Sequence, residues 1–187
     1  VRRFIYLIIF INFLLICLPG KSYCHAASSQ IKLEWDHLRP TMRSDRNLDT
    51  MSLHLFEKFI ETPNRSMYRG ITITRPRGDI TWKNQNKNSS AVGIGPAYML
   101  RFGKHYSAKL SAAFDISGGL IIYNKRFPAG GEYYNFMWRI GPKFIYKINE
   151  ISSLSIGYTR MHVSNGLRTN NPSYEAHGVS LGFITKF

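Results

Sequence analysis

"YYNFMWRIGPKFIYKI", residues 133–148, carries two messages on alternate positions. Its even positions are Tyr134, Phe136, Trp138, Ile140, Phe144, Tyr146 and Ile148, while the odd ones include Asn135, Arg139, Lys143 and Lys147. A β-strand turns successive side chains to opposite faces, so one face of this segment is aromatic and apolar and the other polar and charged. Soluble sheets also alternate, but their strands usually run about 5 to 6 residues. A single strand of this length, greasy outside and charged inside, is what a transmembrane β-barrel needs.

The pattern extends in both directions. Residues 91–102 place Val92, Ile94, Tyr98, Leu100 and Phe102 on one side, and residues 106–122 do the same with Leu110, Ala112, Phe114, Ile116, Leu120 and Ile122. Residues 151–164 continue with Leu154, Ile156 and Tyr158, and the final run carries Val179, Leu181, Phe183 and the last residue, Phe187. Upstream the alternation is weaker: Ile31, Leu33 and Trp35; then Met51, Leu53, Leu55 and Phe59; then Ile71 and Ile73. The stretch "LHLFEKFI", residues 53–60, can also be read as a short helix. The sum is eight strands, an all-β antiparallel up-and-down barrel that its own side chains fill. Inward Arg139, Lys143 and Lys147 then need inward acids, Asp115 among them. Pro96 and Pro142 lack a ladder donor, and each follows a glycine, which predicts β-bulges at both places.

The chain begins with Arg2 and Arg3, an apolar run over residues 4–18, Pro19-Gly20, and small residues around Ala26. This is the pattern of a cleaved secretory leader over residues 1–26, followed by a barrel domain over 27–187. The run is too short for a spanning helix, which takes about 20 residues. Cys17 and Cys24 both lie in the leader, and Tyr23 before Cys24 does not suit lipid attachment, so neither a disulfide nor a lipid anchor is expected in the barrel.

Without the leader the chain carries 22 basic residues against 11 acidic. Such charge commonly serves nucleic acid, but export argues against it, and an anionic lipid surface suits the aromatics better. Short connections after Phe102 ("FGKH") and at Asn149-Glu150 alternate with long polar ones over residues 37–47, 77–90, 125–132 and 165–173, as an up-and-down barrel requires. The long loops hold Arg39, Arg43, Arg46, Arg77, Lys83, Lys87, Lys125, Arg126 and Arg168. They are either solvated or a cradle for lipid phosphates, which arginine can grip with two donors. "RGD" at residues 77–79 is too short a motif to carry an adhesion function.

Strand parity also locates the chemistry. Arg160, His162 and Ser164 share the lipid-facing side of Leu154, Ile156 and Tyr158, and Glu175 and His177 share that of Val179, Leu181 and Phe183. If Ile156 meets Leu181 and Tyr158 meets Val179, His162 falls opposite Glu175, at a cross-strand distance of roughly 5 Å. The same register brings Phe187 beside the Asn149-Glu150 turn. At about 3.3 Å per residue and a tilt near 40°, His162 stands roughly 28 Å above Ile151, just over an apolar band of about 25 Å. A serine next to a histidine that a carboxylate holds is an activated nucleophile, and an oxyanion needs fixed donors. Asn171, Asn165 or the main chain of the Asn165-Gly166 bend are the candidates. Arg160 reads as a substrate-binding or snorkelling residue, and His177 is an alternative base.

The stretch "HVSNGL…NNPSYEAHGVSLGF" resembles the C-terminal motif of the PagL lipid A 3-O-deacylases, a match of about 25 residues. The resemblance implies an outer-membrane barrel with His162 as general base, Ser164 as nucleophile, Glu175 as the acid that orients the base, and Asn171 as oxyanion donor, with Asn165 after the nucleophile. It also implies hydrolysis of the ester at the 3 position of lipid A, release of a 3-hydroxy fatty acid, and no metal or organic cofactor. The partner is then lipopolysaccharide in the outer leaflet, with no nucleic acid; a homodimer is left open. Two other readings compete: a non-enzymatic barrel whose basic loops bind lipopolysaccharide or a host surface, and an acyltransferase of similar build.

Overall fold

The computed structural model describes residues 29–41, 45–63, 65–166 and 171–187. The leader, with both cysteines, and the loop cations Arg43 and Arg168 lie outside them. Nine strands follow in chain order: β1 (Gln30–Pro40), β2 (Arg46–Glu61), β3 (Arg65–Trp82), β4 (Gln85–Asn88), β5 (Gly93–His105), β6 (Leu110–Phe127), β7 (Glu132–Lys147), β8 (Ser152–Ser164) and β9 (Tyr174–Lys186). Eight of them pair antiparallel with their neighbours, and β1 joins β9 from Gln30↔Lys186 to Pro40↔Ala176, which closes the barrel. Closure leaves no strand edge, and in a bilayer that satisfies the backbone without water. The ninth, β4, folds back on the end of β3 through Lys83 and Asn84, both at positive φ, as a two-residue hairpin demands. So the polar segment expected as a loop over residues 77–90 is largely a hairpin that extends the wall. The "RGD" tripeptide lies within β3, paired to β2 at Asp79↔Asn47.

The other end of the barrel turns tightly, and each turn has a side chain that accepts its spare N–H groups. Thr62 Oγ1 takes the Arg65 N–H (3.2 Å), Ser107 Oγ those of Lys109 and Leu110, and Asn149 Oδ1 those of Ile151 and Ser152. The Ser107 bonds place the β5–β6 turn at residues 106–109. It lies beyond the "FGKH" segment, which instead stays paired as Gly103↔Ala113 to His105↔Ser111.

Parity holds around the ring. Leu53, Leu55, Ile71, Ile94, Phe114, Trp138, Phe144, Ile156 and Leu181 are all exposed on the outer wall, where lipid would meet them. Residues 53–60 are strand, since His54, Phe56 and Lys58 are buried inside while Leu53 and Leu55 face out. Leu100 is an exception: it keeps outward parity but is buried, as is its partner Met67, which faces Ile60 beside the β2 bulge.

Neither Gly-Pro step forms a bulge. Pairing of β5 with β6 lapses between Ile94↔Ile122 and Ala97↔Gly119, and pairing of β7 with β8 between Ile140↔Arg160 and Lys143↔Gly157, yet the register is the same on both sides of each gap. The missing proline donor costs local pairing without adding a residue. The glycines let the walls touch there: a Cβ at Gly95 would stand 1.8 Å from the Leu120 carbonyl oxygen, and one at Gly141 would stand 1.8 Å from that of Tyr158.

Inside, three layers stack. Phe56, Tyr68, Ala97 and Met99 fill the end with the tight turns, and a larger apolar cluster that includes Leu38, Ile121, Phe127, Met161 and Tyr174 fills the other. Between them lies a buried ion network. Arg139 contacts Glu34 and Asp36 (2.8 Å to the latter), Lys143 reaches Glu34 (3.3 Å), and Lys32 bridges Glu34 (2.6 Å) and Asp115 (3.0 Å). Asp115 is bound in bidentate fashion by Arg101, at 2.7 Å for both bonds. The acids that answer Arg139 and Lys143 therefore come from β1. Lys147 pairs instead with Glu150 in the turn (2.7 Å).

Candidate active site

The polar patch stands at the upper end of the last hairpin, on the side of the long connections. The β8–β9 ladder pairs Ile156↔Leu181, Tyr158↔Val179, Arg160↔His177 and His162↔Glu175, the register that parity and the short turn imply. Lys186 N–H bonds the Ile151 carbonyl (2.8 Å), so the C-terminus closes against the same turn. Cross-strand neighbours on one face are the contacts a sheet makes most reliably. Here they bring His162 Nδ1 to 3.5 Å from Glu175 Oε1.

Each member is held from a different side. Trp138, the residue opposite His162 on β7, stacks on the imidazole with ring centres 5.6 Å apart and planes 27° from parallel. Thr41, just past β1, donates from its N–H (3.2 Å) and its hydroxyl (3.5 Å) to the Glu175 carbonyl. Arg160 Nη2 donates to Glu175 Oε2 at 2.7 Å. His177 turns its Nδ1 to the Tyr158 hydroxyl, so its ring is engaged one step below. His162 and Glu175 are half-buried.

Ser164 is the last residue of β8, two positions past His162 on the same face. Among the described residues neither its hydroxyl nor His162 Nδ1 makes a hydrogen bond, so the carboxylate faces the ring at 3.5 Å and the serine stands beside it. Catalytic hydrogen bonds are often long before substrate arrives. With Nδ1 turned to Glu175, Nε2 is the ring nitrogen left to serve the serine.

The bend after Ser164 is built by its own side chains. The Asn165 N–H donates to Asn171 Oδ1 (3.0 Å), and Asn171 Nδ2 donates to the Gly166 carbonyl (3.3 Å). Gly166 has φ +76°, and a Cβ there would approach the Phe136 ring to 3.2 Å. Asn171 thus clamps the bend, and the Asn165 N–H is occupied by that clamp. An amide nitrogen has two hydrogens, so Asn171 keeps one for a further acceptor.

The family model of lipid A 3-O-deacylase (PagL) matches residues 30–183 of the chain. The chain belongs to the PagL family. Among solved structures, the outer-membrane enzyme PagL is 16% identical with a TM-score of 0.52, over 84% of this chain and 99% of that one. Neisserial surface protein A is 11% identical with a TM-score of 0.61, over 87% of this chain and 99% of that one. Comparison with curated proteins by sequence found no match. At these identities the two structures speak for the fold. One is described as an enzyme and the other as a surface protein, so the barrel fits both and function rests on the site and the family.

This PagL-family barrel uses residues that the sequence pattern leaves unmarked. Trp138 and Phe136 read as two more rings of the lipid belt until the β7–β8 register sets one against His162 and packs the other beside Gly166. Parity names their face but not their level. Only the pairing Trp138↔His162 separates them from the other outward aromatics.

Proposed function

We propose that this outer-membrane member of the family is a lipid A 3-O-deacylase that works as a serine esterase. The observation that carries the reading is His162 opposite Glu175 on the lipid-facing wall, 3.5 Å from nitrogen to oxygen, with Ser164 next along the same face. An ionisable residue exposed to lipid is expensive, and a binding barrel has no use for a base, a carboxylate and a hydroxyl side by side.

The steps follow from the residue types. His162 takes the Ser164 proton as Oγ attacks the ester carbonyl at the 3 position of lipid A. Glu175 steadies the imidazolium that forms, and the second Asn171 amide hydrogen is the candidate donor to the oxyanion. The carbon–oxygen bond to the sugar breaks, and His162 returns its proton to the departing sugar hydroxyl. Water, deprotonated by His162, then releases the acyl chain from Ser164 as a 3-hydroxy fatty acid. Exposed Arg39, Arg77, Lys83, Lys87, Lys125 and Arg126 at the same end of the barrel suit the substrate's phosphates. Residues 1–26 act as the leader that delivers residues 27–187 to the outer membrane.

Ser164→Ala in purified, refolded protein should lower release of 3-hydroxy fatty acid from lipid A by at least about 10³-fold, while the folded band persists on unheated gels. Undiminished release would refute the serine mechanism. Mass spectra of lipid A from cells that overproduce the protein separate the classes: a deacylase removes one hydroxyacyl chain, an acyltransferase adds mass, and a binding barrel leaves the spectrum unchanged.

A further inference from the structure

Sequence parity marks Arg160 as a group that meets substrate; its contacts point elsewhere. We infer that Arg160 is a positioning residue, which fixes Glu175 so that the carboxylate's other oxygen faces His162. The inference rests on the deacylase reading above.

Two rungs of the β8–β9 ladder are involved: Arg160↔His177 below and His162↔Glu175 above. Arginine could have met the residue directly opposite, His177. That ring is engaged by Tyr158 from one rung further down, and Arg160 leans the same way, one rung up, to reach Glu175. Two side chains of β8 thus make parallel diagonal contacts to β9, a reach that long side chains have. The outcome is a division of the carboxylate: Oε2 lies 2.7 Å from Arg160 Nη2, and Oε1 lies 3.5 Å from His162 Nδ1. The arginine contact is the shorter of the two, and it sets the plane in which Oε1 lies.

The need for such a clamp follows from location. Glu175 is the second residue of β9, directly after the connection that follows Ser164, and its side chain is about one-third exposed. A carboxylate at the edge of a lipid belt turns toward water unless a partner holds it. Charge-assisted bonds of this kind are among the stronger ones. Arg160 therefore acts on the reaction through Glu175.

The test uses full-length barrel in detergent micelles that contain lipid A. Arg160→Gln should lower kcat about tenfold, the low end of what loss of a residue that holds a ligand in place costs in metal sites, and leave KM within about twofold. Arg160→Lys, which keeps a cation within reach of Oε2, should recover most of the loss. A rise in KM at unchanged kcat would overturn the proposal and return Arg160 to substrate binding. Both constants at the parent value would also overturn it and leave the pair a surface contact. Arg160 is exposed, and the folded band on unheated gels confirms that each variant retains the barrel. Ser164→Ala, run alongside, separates the two ideas: if it stays active the deacylase mechanism has failed, whatever Arg160 does.

Discussion

The inner and outer walls of this barrel both carry charged side chains on the same strands, and they hold them differently. Inside, Arg139, Glu34, Asp36, Lys32, Lys143, Arg101 and Asp115 are all at most 6% exposed, and each meets opposite charge at contact distance. Outside, His162 and Glu175 stand at 3.5 Å, Ser164 has no hydrogen bond among the described residues, and ring and carboxylate are each half-buried. The inner network pairs each charge with an opposite one, although Arg139 Nε has no hydrogen-bond partner among the described residues, and it holds the walls together. The outer patch is fixed on one side and has capacity left on the other, which is the condition for doing chemistry on something else.

That contrast predicts effects of opposite kind. Glu175→Gln should cost roughly 10³-fold in kcat, as expected when a base loses the acid that orients it, and leave the urea midpoint of the folded barrel in place. Glu34→Gln should do the reverse: about 3 kcal/mol of stability lost, because Arg139, Lys32 and Lys143 would stay buried with part of their partner charge gone, and an unaltered rate per folded molecule. A Glu34 variant that folds normally but fails to hydrolyse would break the distinction. The smallest effect is assigned to His177→Gln. Its ring is turned to Tyr158 rather than Glu175, so activity should stay within about twofold; a loss as large as that of the Glu175 variant would make it the base in place of His162.

Legibility followed the physics of each feature. The alternation over residues 133–148 was readable because a period of two is local: each residue's face depends only on its place in the strand. The His162–Glu175 pairing was readable as well, since the register that keeps parity on β8 and β9 and sets Phe187 beside the Asn149-Glu150 turn puts the two opposite each other. Two of the corrections to the walls show why the rest was not. The Gly-Pro steps looked like bulges but are lapses in pairing with unchanged register, and Asp115 answers Arg101 and Lys32 rather than Arg139. In the second case the true partner, Glu34, is 105 residues away in sequence, and no local pattern relates them.

The sequence by itself determined the strand faces, the eight-stranded wall and the side of that wall on which His162, Ser164 and Glu175 lie, because side-chain direction in a strand is set residue by residue. Only the tertiary structure decided who meets whom: the Trp138 ring on His162, Arg160 on the far oxygen of Glu175, and β1 acids against β7 cations. The first two are side-chain choices between neighbouring strands, and the third joins strands that meet only across the lumen, once all eight have closed the ring.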